Sequence, residues 1–255
     1  MQKPLILVVN DDGINAPGIR KLISIMNKFG EVVVVAPDSP QSGKGHAITI
    51  ESTIRCDRVK IDDGPQIEYS CSGTPADCVK LAINKLLERK PDLCVSGINH
   101  GSNSSINVIY SGTMSAAVEG SLEGIPSIGF SLLDYSHNAD FTESESFIKK
   151  ITNYVLVNGL PDGVCLNVNI PKSEKGKEIK GIKICRQANA NWEEEFDERK
   201  DPKGRTYYWL TGKFVNFDNG EDTDEWALKN HYISIVPVQF DVTAHNAISK
   251  INNII

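Results

Sequence analysis

Two short apolar runs, Leu5 to Val9 (LILVV) and Glu31 to Ala36 (EVVVVA), bracket a segment whose apolar residues recur at helical spacing. Continuous runs of β-branched residues, without polar alternation, belong in strands that are covered on both faces. Between them Ile19, Leu22, Ile23, Ile25 and Met26 follow Pro17-Gly18, and Gly30 supplies a helix stop. Strand, helix and strand within roughly thirty residues make a βαβ unit, which demands a parallel sheet and a right-handed crossover.

The same alternation continues along the chain. The pattern predicts a helix over 75–87 with Thr74 as its N-cap, a strand over 92–96 and a helix over 113–122. A strand over 127–130, an amphipathic helix over 143–157 and a strand over 164–168 follow. Such a series folds as an α/β protein, a three-layer α/β/α sandwich around a mainly parallel sheet. Two alternating segments between Ala47 and Cys71, separated by Asp62-Asp63-Gly64-Pro65, predict an antiparallel hairpin.

After about Asn169 the character changes. Strands are expected near 181–185 and 205–217, separated by a charged stretch from Glu193 to Asp201 that suits an exposed arm. Tyr207, Tyr208 and Trp209 cluster beside it, and they fit either a surface that another subunit covers or packing on their own domain. There is no internal repeat. The chain is read as one domain over 1–255, with a core over 1–170 and a strand-rich extension with a projecting arm over 171–255.

Composition sets further limits. A chain of 255 residues buries roughly 70–75% of its unfolded surface and needs no disulfide or structural metal to fold. A net charge of −6 argues against a broad surface for nucleic acid or anionic membrane, while leaving room for a small phosphorylated ligand. The six cysteines include no CxxC pair, and Cys94 and Cys165 sit inside apolar runs, a usage that fits a reducing compartment. Met1-Gln2-Lys3-Pro4 leads straight into the first strand without the apolar stretch of a signal peptide. No run approaches the ~18 apolar residues of a membrane span. The expected location is cytoplasmic.

Ligands of open parallel sheets bind beyond the carboxyl ends of the strands. Beyond the first strand stand Asn10, Asp11, Asp12 and Gly13; beyond the second, Asp38, Ser39, Gln41, Ser42 and Gly43. Beyond the 92–96 strand come Asn99, His100, Gly101, Ser102 and Asn103. Adjacent carboxylates repel unless a cation offsets them, and hard divalent ions prefer such oxygens completed by hydroxyls and amide carbonyls. Asp11 and Asp12 with the neutral oxygens of Ser42 and Asn99 make a candidate site for one Mg²⁺ or Mn²⁺. A lone Asp-Asp-Gly is also an ordinary turn; three such loops at strand ends favour the metal reading. Tyr110-Ser111-Gly112-Thr113 opens a helix of small residues and suits an anion cradle or a plain N-cap. Phosphate is the economical common ligand, with contacts expected from Asn10, Gly43, Asn103, Ser111, Gly112 and Thr113. His46 and His100 lie near enough in sequence to the site loops to shuttle a proton or simply to bond their surroundings. No GxSxG, Walker loop, GxGxxG or HExxH is present.

Across these residues the sequence resembles the SurE (survival protein E) family of 5′-nucleotidases. The likeness covers ILVVNDDGINAPGI (6–19), VVAPDSPQSGKGHAIT (34–49), SGTPADCV (72–79) and DLCVSGINHGSN (92–103). It continues through YSGTMSAAVEG (110–120), LNVNIP (166–171) and TDEWALKNHYISIVPVQFDVT (223–243). The resemblance implies a Rossmann-like fold and cation-dependent hydrolysis of nucleoside 5′-monophosphates, with Asp11 and Asp12 as catalytic acids. It places the metal ligands on Asp11, Asp12, Ser42 and Asn99, and implies homodimers or homotetramers built partly through the hairpin arm. Two rivals remain. A phosphatase with an aspartyl-phosphate intermediate needs an acid where Gly13 stands, and a receiver-like signalling module needs about half this length and a lone Asp where Ser96-Gly97 stands.

Overall fold

The computed structural model describes residues 3–136, 138–174 and 176–252. Strand β1 (Leu5–Val9) leads through helix α1 (Pro17–Met26) to β2 (Glu31–Pro37), and β1 and β2 pair in parallel as the βαβ reading requires. Alternate side chains of β1 bury on opposite faces of the sheet. Ile6 and Val8 join a cluster with Ile19, Leu22 and Met26 of α1, whereas Leu5, Leu7 and Val9 join a second cluster. Both faces are therefore covered, which is why the strand carries no polar residue.

Seven more strands complete the main sheet: β3 (Cys56–Val59), β4 (Ile67–Cys71), β5 (Leu93–His100), β6 (Ser127–Leu132), β7 (Val164–Ile170), β8 (Ile182–Ile184) and β11 (Ile233–Gln239). Their order is β3-β4-β2-β1-β5-β6-β7-β11-β8. The six central strands from β4 to β7 are all parallel; β3 and β11 run antiparallel to β4 and β7. Helix α2 (Pro75–Leu81) and helix α3 (Gly112–Leu122) pack on the face of Leu5, Leu7 and Val9. The opposite face carries α1 and α4 (Ser144–Asn158), whose Ile148, Ile151 and Val155 join the larger cluster. The result is a three-layer α/β/α sandwich.

Several expectations are corrected in detail. The helix expected to reach residue 87 is α-helical only to Leu81 and continues as a wider π turn over Ala82–Leu86, while the Thr74 cap is present as a full capping box with Asp77. The hairpin expected from Ala47 is confined to β3 and β4, because 47–55 forms no strand. The strand expected over 92–96 runs on to His100, so β5 itself delivers Asn99 to the sheet edge. The charged stretch 193–201 is mostly strand: β9 (Ala190–Lys200) pairs antiparallel with β10 (Thr206–Asn216) as a separate two-stranded sheet. Both faces of that ribbon are largely wet, so its charges need not alternate with apolar residues. Two C-terminal helices, α5 (Asp224–Lys229) and α6 (His245–Ile251), flank β11. Among the described residues no helix is long and apolar enough to cross a membrane.

Candidate active site

β1 and β5 are sheet neighbours whose connections leave in opposite directions, toward β2 on one side and β6 on the other. This reversal opens a crevice at their carboxyl ends, the place where α/β sheets bind ligands. The loop after β1 is pinned there by its neighbours. The Gln41 amide donates to the Asp11 carbonyl (2.7 Å), the Ile14 amide to the Pro37 carbonyl (2.9 Å), and the Asn10 side-chain amide to the Gly13 carbonyl (2.8 Å). Gly13 takes a positive φ of 98°, which lets the chain turn sharply from strand to helix. From β5, the His100 amide donates to the Asp12 carboxylate at 3.3 Å.

Asp11 is only 3% exposed. The Thr113 hydroxyl donates to its carboxylate, and Gly112 lies so close that a Cβ there would stand 2.6 Å from the Asp11 Cβ. A glycine at the first turn of α3 thus makes room for the acid. Burial, then the neighbouring charge of Asp12, pushes the Asp11 carboxyl up to about 6 against the opposing Thr113 hydrogen bond. Burial also raises Asp12, with His100 opposing. Among the described residues neither acid takes part in an ion pair.

Beside this pair lies a cavity of about 230 Å³ lined by Asp11, Ser42, Gly43, Asn99, Asn103 and Ser111, among others. The structure therefore gathers six of the sequence candidates on one wall. Asp12, Asn10, Gly112 and Thr113 stand outside that lining: Asn10 closes the turn, and Gly112 and Thr113 support Asp11 from behind. Ser111 caps α3 by accepting from the Met114 amide at 3.0 Å. Asn99 donates its amide nitrogen to the Gly101 carbonyl (2.9 Å), which commits its nitrogen and leaves its oxygen for a ligand. Asn103 belongs to a buried amide network, receiving its position from Asn169 (2.8 Å) and bonding Ser131 (2.8 Å).

The histidines divide. His46 bonds the Glu119 carboxylate at 2.7 Å and is not on the cavity wall. His100 is on the wall, but Nδ1 meets the Ser136 carbonyl (3.1 Å) and Nε2 is buried with no hydrogen-bond partner among the described residues. Tyr135 and Trp192 also line it and were not among the residues singled out from sequence; Tyr135 stands just beyond the carboxyl end of β6, and Trp192 comes from β9, remote from the strand-end loops. Among the described lining residues there is no lysine or arginine. No group of three or more His, Cys, Asp or Glu side chains gathers as a metal site among the described residues. A cation here would rest on two carboxylates and neutral oxygens.

Fold and site together define a Rossmann-like α/β protein with paired acids at the topological switch point of its sheet. The family model described as Survival protein SurE matches residues 6–194. The chain belongs to the SurE family. The 5′-nucleotidase SurE of Flavobacterium psychrophilum is 69% identical over 253 residues, covering 99% of this chain and 98% of that protein. That of Chlorobaculum tepidum is 44% identical over 250 residues, covering 98% of this chain and 94% of its own. The crystal structure of the SurE protein from Aquifex aeolicus superposes with a TM-score of 0.83 at 40% identity, covering 98% of this chain and 99% of the other.

Proposed function

We propose that this protein is a divalent-cation-dependent 5′-nucleotidase, hydrolysing nucleoside 5′-monophosphates to nucleoside and phosphate and accepting other phosphomonoesters with the same terminal group. One observation carries the reading: a polar cavity beside two carboxylates that make no ion pair among the described residues, with no lysine or arginine on its described wall. A phosphate dianion cannot approach such acids without a counter-charge. The donor set fits a hard cation, because Asp11, Asp12, Ser42 and Asn99 offer oxygens only, with the Asn99 nitrogen already committed to Gly101. Magnesium or manganese, one per subunit, suits those ligands. When bound, it would supply charge neutralisation and Lewis-acid polarisation of the phosphoryl group.

The chain's own groups do the rest. Thr113 and Gly112 fix the Asp11 carboxylate, and the His100 amide orients Asp12. Ser111, Gly43 and Asn103 line the space a phosphoryl group would fill, and the buried Asn103–Asn167–Asn169 network holds that wall rigid. Relatives named 5′-nucleotidase SurE over nearly the whole chain support a nucleotide as the ester.

The six cysteines carry no disulfide, which supports a cytoplasmic location. Exposed Phe196, Tyr208, Trp209 and Leu210 on the β9–β10 ribbon support a homodimer or homotetramer that covers them. Neither nucleic acid nor a membrane is an expected partner. Phosphate release across a panel of nucleoside 5′-monophosphates tests the reading, with Asp12→Asn beside the wild type. We expect release by the wild type and a loss of more than about 100-fold in the variant. Undiminished turnover by a folded Asp12→Asn protein would overturn it.

A further inference from the structure

Three of the six cysteines meet at one side of the main sheet. Cys56 of β3 and Cys71 of β4 are direct partners in the antiparallel pair, and Cys78 comes from α2. All three belong to the apolar cluster that holds Leu5, Leu7 and Val9. The Ser72 amide donates to the Arg55 carbonyl (2.9 Å), while the Cys71 carbonyl turns the other way and accepts from the Asp38 amide (2.8 Å). Cys56 and Cys71 therefore occupy a non-hydrogen-bonded position of the ladder, where Cα atoms approach to about 4.5 Å. Disulfides span Cα separations of ~4.4–6.8 Å, so the backbone already permits one here.

The three thiols are not equivalent. Cys71 accepts hydrogen bonds from the Cys78 thiol, from the Gly73 amide (3.4 Å) and from the Cys56 thiol. These donors, Cys78 foremost, bring Cys71 down to about 7 against its burial. Burial holds Cys56 up at about 11 and raises Cys78 well above the ordinary thiol range. Cys71 thus carries the thiolate, the form that attacks. It is closed off by β3, a four-residue edge strand whose Asp57 and Arg58 are exposed. Of the three, only Cys56 reaches solvent, and it does so partly. Edge segments with few buried contacts open locally at low cost, and opening of β3 admits a small oxidant to Cys71.

We infer that Cys71 is a peroxide-reactive thiol and Cys56 its resolving partner, the two closing a reversible disulfide between β3 and β4. The Cys71 thiolate attacks one peroxide oxygen: an S–O bond forms, the O–O bond breaks, and hydroxide leaves to become water with the proton Cys71 had released. When β3 closes again, the Cys56 sulphur attacks Cys71 Sγ. An S–S bond forms, the S–O bond breaks, and the departing hydroxide takes the Cys56 proton as a second water. Two thiols are oxidised by two electrons and one peroxide is reduced. In a reducing compartment such a bond is transient. Cys56 also spares Cys71 from further oxidation, which stops being reversible at the sulfinic acid. The inference does not depend on the phosphatase reading.

The test exposes the full-length chain to a small excess of hydrogen peroxide, alkylates the remaining thiols and maps the peptides. The wild type should lose two of its six thiols, join Cys56 to Cys71, and regain both thiols with dithiothreitol. Cys78→Ser should form the same link. In Cys56→Ser the oxidised Cys71 has no resolving partner, so one thiol should be lost that dithiothreitol does not return. A wild type that keeps all six thiols, or links Cys71 to Cys78 or to another chain, would overturn the inference. So would a loss in Cys56→Ser that dithiothreitol fully reverses. The wild-type map decides the pairing whether or not Cys56→Ser folds.

Discussion

Two stretches of this chain are comparably acidic and could hardly be more different in situation. Asp11-Asp12 lies at the carboxyl edge of six parallel strands, walled by α3 and two loops, with no cation beside it among the described residues. Glu193, Glu194, Glu195, Asp197 and Glu198 lie along a two-stranded ribbon outside the main sheet, largely open to water. Solvent screens the second group, so its mutual repulsion is small. In the first group Asp11 is buried and Asp12 half-buried, and both carboxyls are pushed upward. Burial without a counter-charge sets Asp11 apart from the acids of the ribbon.

A third acid sharpens the contrast. Glu68 is buried as deeply as Asp11, yet Arg20 grips it with two nitrogens at 2.6 and 2.8 Å. Here the fold supplies the counter-charge itself, and Glu68 belongs to the architecture, tying α1 to β4. The missing counter-charge is what separates Asp11 from Glu68.

The largest expected effect is on Asp11→Asn. Turnover should fall by more than about 100-fold, while the metal-free protein becomes more stable, because an uncompensated buried charge is gone. With the carboxyl raised from 3.8 to about 6, the gain approaches ~3 kcal/mol at pH 7. Phosphate release and urea unfolding of chelated protein measure the two halves. Arg20→Ala should do the reverse to stability without touching the acid pair: Glu68 is left buried and unpaired, at a cost of about 3 kcal/mol seen as a lower urea midpoint.

A pH series comes next in size. Asp11 binds its proton more tightly in the folded than in the unfolded chain, so the metal-free protein loses stability as pH rises from about 4 through about 6. Below about pH 6 the proton also competes with any cation. The rise in Tm on adding Mn²⁺ should be several degrees at pH 7.5 and should shrink toward zero at pH 5. An equal rise at both values would break the link between burial and metal binding. The smallest effect is expected on the arm, where Glu198→Gln should change stability by less than about 0.5 kcal/mol.

Much of the parallel core was legible because its strands are buried on both faces and its helices are amphipathic. β1, α1 and β2 announce themselves by period alone. The acids and oxygens of the strand-end loops were legible for a related reason: once strands are placed, the residues just beyond them are known. What was hidden depends on contacts distant in sequence. Trp192 reaches the cavity from a ribbon almost a hundred residues beyond β5, and no local pattern foretells that Ser105 ties the ribbon's root there. β9 was obscured because a ribbon wet on both faces has no hydrophobic alternation to read. β11 carries Pro237 within its run and lies between β7, to which it is antiparallel, and β8, to which it is parallel, and its placement depends on the sheet already being there. His46 was drawn to the site by sequence proximity, yet its bond to Glu119 holds it away from the cavity wall.

The central claim is that the acids between β1 and β5 work by holding a divalent ion against which a phosphoryl group is drawn. Phosphate release from AMP by exhaustively chelated protein, before and after Mn²⁺ is returned, tests it most directly. The account predicts no release above background without the ion and full recovery with it. Undiminished release from protein shown to be metal-free would contradict it.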